Sequence, residues 1–163
     1  MKKKMTLMGI FVAVLGLMMF SGCAEKKAVV TDSTAQQPAA VEPAKTDALT
    51  AAQAALQDIN FDFDKSNIRE DARQIMKANA DFLIKNKDVN IIIEGHCDER
   101  GTAEYNMALG ERRAQEAKKY LINLGVASAR MKTVSYGEER PLDPASNEEA
   151  WAKNRRAHFA VVK

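Results

Sequence analysis

The 163-residue chain sets 24 Lys and Arg against 22 Asp and Glu, and three of the basic residues, Lys2, Lys3 and Lys4, stand at the start of an apolar run. Without that leader, 21 basic groups face 22 acidic ones, a charge of −1. A near-neutral chain has no basic footprint for nucleic acid, so that class of partner is excluded.

Residues 5–20 are apolar apart from Thr6, Gly9 and Gly16. The run falls short of the roughly 20 residues a membrane-spanning helix needs, and behind a basic start it is expected to be a cleaved signal sequence. Ser21 and Gly22 put small residues directly ahead of Cys23. The string is similar to a bacterial lipobox, although Phe20 stands where that motif usually has Leu. The similarity implies a signal peptide over 1–22 and lipid on Cys23, and Ala24 in place of Asp is similar to lipoproteins sent to the outer membrane. Two or more acyl chains hold a protein on a membrane without a spanning helix. Cys97 is the second of two cysteines. It is then an unpaired thiol in an oxidising compartment, for which burial is the simplest protection.

From residue 24 to about residue 50 the chain is mostly Ala, Lys, Val, Thr, Gln and Pro, with Pro38 and Pro43 and no aromatic side chain. Such a segment buries too little apolar area to offset its ordering entropy, so 23–50 is expected to be a lipidated, flexible tether spanning on the order of 90 Å when fully stretched.

Residues 51–163 have the length of one ordinary domain and no internal repeat. Ile59-Asn60-Phe61-Asp62-Phe63 alternates apolar and polar, as a half-buried strand does. Asn67 with Glu70 three residues on predicts a capping box, and Ile68, Ala72, Ile75, Met76, Asn79, Phe82 and Leu83 follow at helical spacing. Ile91-Ile92-Ile93 predicts an interior strand over 89–94. Met107, Gly110, Ala114, Ala117, Leu121 and Leu124 step by three and four along a second helix over 103–124, which Gly125 ends as a C′ glycine. Short strands over 132–136 and 157–162 flank a loop with Pro141 and Pro144 and a helical turn around 147–153. The alternation predicts an α/β domain whose terminal strand pair makes the sheet mixed.

The chemistry-bearing stretch begins where the second strand ends. Glu94-Gly95-His96-Cys97-Asp98-Glu99-Arg100-Gly101-Thr102 puts an Asp in a Gly-bounded loop, with Arg113 fifteen residues later on the next helix. Asn106, Leu109 and Arg113 lie at i, i+3 and i+7, within about 60° of one another and beside the core stripe. Arg113 is therefore expected to point from the helix edge toward Asp98. An arginine fork matches a carboxylate bidentately and an aspartate suits an ammonium, so the two can grip a zwitterion. Plainer roles stay open: Arg113 as a solvated charge paired with Glu111 or Glu116, Asp64 as a turn residue, Asn106 as a hydrogen-bonder in the first helical turn.

The same stretch, with Glu104-Tyr105-Asn106, Leu109-Gly110 and Glu111-Arg112-Arg113-Ala114, resembles the OmpA-like peptidoglycan-binding domain over residues 61–162. The resemblance implies a βαβαββ two-layer domain. Its implied ligand is the free end of diaminopimelate in the peptidoglycan stem peptide, which carries an ammonium and a carboxylate. The implied site comprises Phe63, Asp64, Asp98, Arg100, Asn106, Leu109 and Arg113, framed by Asn154-Arg155-Arg156 and Ser135-Tyr136-Gly137, and it needs no cofactor. With an anchor at Cys23, the resemblance implies a lipoprotein on the periplasmic face of the outer membrane. Such a protein ties membrane to wall and acts with the Tol system, TolB as partner, in envelope integrity and cell division. The alternative is a wall-binding subunit of a motor or export machine, which would need a retained inner-membrane helix.

His96-Cys97-Asp98 invites a catalytic or metal reading. In an extended chain His96 and Asp98 share a side and Cys97 points away, so two candidate ligands face together, short of the three or four a zinc site wants. His158 lies on the last strand, and no Ser/His/Asp spacing is evident. The chain is expected not to be an enzyme and to hold no metal.

Overall fold

The computed structural model of the protein describes residues 43–162. The expected signal peptide, Cys23 and the tether up to residue 42 lie outside the described residues. No described helix is long and apolar enough to cross a membrane.

The tether expected to reach residue 50 gives way earlier to a helix, α1, Pro43–Ala55. Ala52 and the following Leu56 are buried, and the Gln53 amide does the work of a strand. Its Nε2 donates to the Phe159 carbonyl at 3.0 Å and its Oε1 accepts from the Val161 N–H at 2.8 Å. Composition understated this segment because a few tertiary contacts, not bulk apolar content, hold it.

Gln53 caps the edge of β4, Arg156–Val162, beyond the reach of β1, Ile59–Asn60. The expected five-residue first strand thus contributes two residues to the ladder, paired with Ala157 and Arg156. Phe61 still donates its N–H to the Arg155 carbonyl at 2.9 Å. The chain then turns at Asp64, which takes a left-handed φ of 57°.

Helix α2, Glu70–Lys85, starts at Arg69, not Asn67. No side chain caps it, so the expected capping box is absent. Arg69, at the N-cap position, instead pairs its side chain with Asp71 at 2.7 Å.

Strand β2, Asn90–His96, runs parallel to β3, Met131–Gly137, and antiparallel to β4, giving the order β1-β4-β2-β3. The sheet is mixed, as expected. Helix α3, Ala103–Asn123, joins β2 to β3 through a short 3₁₀ turn, Ser128–Arg130, and α4, Glu148–Asn154, joins β3 to β4. The expected βαβαββ order is present with α1 ahead of it and α4 as a full short helix. Gly125, at φ 100°, ends α3 in a Schellman arrangement, its N–H on the Ile122 carbonyl and that of Val126 on Leu121.

Met76, Leu83, Ala114, Ala117 and Leu121 on α2 and α3 pack with Ile91, Ile93 and Phe159 of the sheet. At the other end of α3 the backbones nearly touch. A Cβ on Gly95 would lie 1.8 Å from the Gly110 carbonyl oxygen. This close crossing turns Asn106, Leu109, Gly110 and Arg113 inward and leaves Met107, expected in the core stripe, exposed on the flank.

Candidate functional site

The loop that leaves β2 carries Asp98, whose carboxylate is 3% exposed yet fully engaged. It accepts from the Arg100 backbone N–H at 3.1 Å, from Arg100 Nε at 3.2 Å and Nη2 at 2.7 Å, and from Arg155 Nη1 at 3.1 Å. Burial pushes the Asp98 carboxyl up, but the Arg100 and Arg155 hydrogen bonds outweigh it and hold it below the ordinary carboxylate value.

Arg100 is fixed on three sides. Beyond its fork on Asp98, its guanidinium lies 4.1 Å from the Phe63 ring centroid and 4.2 Å from that of Trp151. Asn106, at the start of α3, anchors the loop backbone: its Nδ2 donates to the carbonyls of Asp98 at 3.2 Å and Arg100 at 3.1 Å and to Glu138. Thr102 caps α3, its Oγ1 accepting from the Tyr105 N–H. Tyr105 in turn donates its hydroxyl to Asp64.

Arg113 departs from expectation. It is 0% exposed, belongs to the buried face of α3, and pairs with neither Glu111 nor Glu116 nor Asp98. Nε donates to the Lys65 carbonyl at 2.9 Å, Nη1 to His96 at 2.8 Å and to Cys97 Sγ at 3.3 Å, and Nη2 to Asp62 at 3.1 Å. A guanidinium has five N–H groups, so one Nη2 hydrogen is not used in these contacts. Helical geometry placed Arg113 at the helix edge; the Gly95–Gly110 crossing draws it under the loop.

Cys97 is 3% exposed, and its Sγ donates to the Asn106 carbonyl. Burial pushes its thiol up to about 11, the opposite of an activated nucleophile. The expectation that Cys97 points away from Asp98 fails, because register slips between Gly95 and His96 and ends the strict alternation. Cys97 and Asp98 both line the cavity, whereas His96 lies beside Glu94, 3.6 Å away, and tilts against the Tyr136 ring.

All seven predicted site residues, Phe63, Asp64, Asp98, Arg100, Asn106, Leu109 and Arg113, line one cavity of about 210 Å³, together with Cys97, Gly101, Tyr105 and Arg155. Three arginines and two aspartates make its lining charge-mixed with a positive excess. Arg155 was read only as part of a framing run. No local pattern shows that it reaches back 57 residues to Asp98 while donating to the Phe61 carbonyl and to Glu148. Trp151 likewise carries no motif signal. Among the described residues no group of three His, Cys, Asp or Glu could hold a metal ion.

The family model that matches residues 60–155 is that of OmpA. The chain belongs to the OmpA family. Among the relatives of this OmpA-family chain is the peptidoglycan-associated lipoprotein of Mesorhizobium japonicum, 40% identical over 150 residues, which are 91% of this chain and 88% of the relative. That of Brucella melitensis is 48% identical over 99 residues, 61% of this chain and 59% of the relative. The crystal structure of the peptidoglycan-associated lipoprotein from Burkholderia pseudomallei superposes with a TM-score of 0.63 at 38% identity, covering 65% of this chain and 90% of that one. The C-terminal domain of Helicobacter pylori MotB, TM-score 0.60 at 24% identity over 66% of this chain and 86% of that one, shares the fold.

Proposed function

We propose that this OmpA-family chain is an outer-membrane lipoprotein, anchored through Cys23, whose periplasmic domain holds peptidoglycan non-covalently by the free end of diaminopimelate. The cavity carries this reading. That ligand end bears one ammonium and one carboxylate, and both acids and arginines line the cavity. Asp64 is exposed and is the acid an entering ammonium meets first, with Asp98 behind it. The unpartnered Nη2 hydrogen of Arg113 is a donor for the carboxylate, as is Arg100 Nη1, where the ligand would compete with the Glu148 carboxylate 3.5 Å away. The names of the relatives, peptidoglycan-associated lipoproteins, support peptidoglycan as the partner.

No bond need break for this task. Cys97 is held as a neutral thiol, and Asp98 as a carboxylate locked between two guanidiniums, so neither is poised as a nucleophile or proton donor. The finer part of the proposal is work with Tol proteins, TolB among them, in envelope integrity and division. The MotB likeness carries the fold alone and gives a motor role no support.

Incubation with purified diaminopimelate-type sacculi tests the reading. Co-sedimentation with sacculi left intact is expected. Failure to sediment contradicts binding, and solubilised sacculi would mark a hydrolase.

A further inference from the structure

Trp151 stands on α4, outside the cavity lining. Helix α4 is pinned in place: Asn147 caps its start by accepting from the Ala150 N–H at 2.9 Å, and Asn154 at its end accepts from the Leu142 and Asp143 N–H groups. From this rigid turn Trp151 projects against Arg100, its indole N–H donating to Glu99 at 3.0 Å. Glu148 of the same helix lies 3.5 Å from Arg100 Nη1 and 2.8 Å from Arg155 Nη2. The short helix therefore supplies a ring face to one arginine and a carboxylate shared by both.

We infer that Trp151 is a positioning residue of the wall-binding site, acting through Arg100. The rings of Phe63 and Trp151 both pack against the guanidinium, their centroids 4.1 and 4.2 Å from its central carbon. Two ring contacts on a group already forked onto Asp98 limit how far its plane can tilt. That keeps Nε and Nη2 on Asp98 and leaves Nη1, 3.5 Å from Glu148, as the edge where a ligand carboxylate would compete. Phe63 is 55% exposed, so alone it leaves Arg100 free to swing outward on a flexible stem. Trp151 closes that route. The ring packing requires an aromatic face and not the indole N–H, which serves only Glu99. The inference rests on the wall-binding reading above and adds to it a residue without ligand contact.

A double-mutant cycle read by co-sedimentation with diaminopimelate-type sacculi tests it. W151A, folded by circular dichroism, is expected to bind about five- to thirty-fold more weakly than wild type, the loss of one close cation–π face. W151F is expected to stay within about twofold of wild type. Arg100→Ala weakens binding by itself, and adding W151A to it is expected to have no further effect, because the Trp151 ring then has nothing left to hold. If W151A does not fold, W151L takes its place against W151F. Wild-type binding by the folded variant lacking an aromatic ring while Arg100→Ala is impaired overturns the inference. So does a double variant that loses the product of the two single effects. If wild type fails to sediment or Arg100→Ala binds normally, the wall-binding reading at Arg100 falls first, and the inference with it.

Discussion

Arg155 Nη1 lies 3.1 Å from Oδ2 of Asp98, a buried ion pair that closes the binding loop onto the junction between α4 and β4. The partner of Asp98 is thus Arg155 together with Arg100, and Arg113 serves the backbone around them. Contacts within the protein fix each of these side chains, the kind of order that lowers the cost of binding.

Asp98 should make folding stability acid-sensitive. Its folded-state pKa lies below the ordinary value of 3.8, so its contribution is fully present above that value and is lost as pH falls through the lower folded pKa. Urea unfolding at pH 7 and pH 3 should show this. Asp98→Asn should lose stability at pH 7 and flatten that part of the acid limb, and a steep limb unchanged in the variant would place the sensitivity elsewhere. Removing the carboxylate outright in Asp98→Ala strands Arg155 and should cost about 3–5 kcal/mol.

Arg113→Ala should be a folding variant before it is a binding variant. It leaves the buried His96 carbonyl without its donor, at about 1–3 kcal/mol, and removes the hydrogen bonds to the partly buried carbonyls of Lys65 and Asp62. Arg113→Lys reaches too few of them to restore the loss. An unfolding midpoint close to wild type for Arg113→Ala would refute this scaffolding role.

The two histidines should titrate on opposite sides of the ordinary value of 6.5. The hydrogen bond to Asp58 at 2.7 Å raises His158, so its stabilisation is present below 6.5 and lost as pH rises through the higher folded pKa. Burial, then the nearby Arg156, lowers His96 to about 4, so protonating it works against folding as pH drops from 6.5 toward that value, by roughly 3 kcal/mol in total. Imidazole proton NMR from pH 3 to 8 resolves both. Two titrations near 6.5 would contradict the burial of one and the pairing of the other.

Cys97 should resist thiol reagents in the native protein and react promptly in urea, since it is buried and its pKa is about 11. Cys97→Ala should keep wall binding. Fast native alkylation at pH 8 would show that the pocket floor opens far more often than its packing suggests.

Local patterns carried much of this fold. The Ile91-Ile92-Ile93 strand, the α3 stripe from Gly110 to Leu121 and the Gly125 stop each follow from a period or a turn preference, and the seven side chains that the family resemblance implied line one cavity. What stayed hidden is tertiary. Gln53 acts as a strand edge, Arg155 answers an acid 57 residues away, and Trp151 packs against an arginine, and none of these has a periodic signature. Arg113 shows the middle case: its position on the helix was legible, but its depth depends on Gly95 meeting Gly110, a contact between two elements.

The most direct test is a titration of the protein with two soluble stem peptides that differ only in the third residue, diaminopimelate with its free end in one and lysine in the other. Lysine keeps the ammonium and lacks the carboxylate, so the arginines of the cavity lose their partner. The diaminopimelate peptide is expected to bind at least about 30-fold more tightly, the result of losing one desolvated charge contact worth about 2 kcal/mol or more. Equal affinity for the two peptides would mean that the charge-mixed cavity does not read the zwitterion.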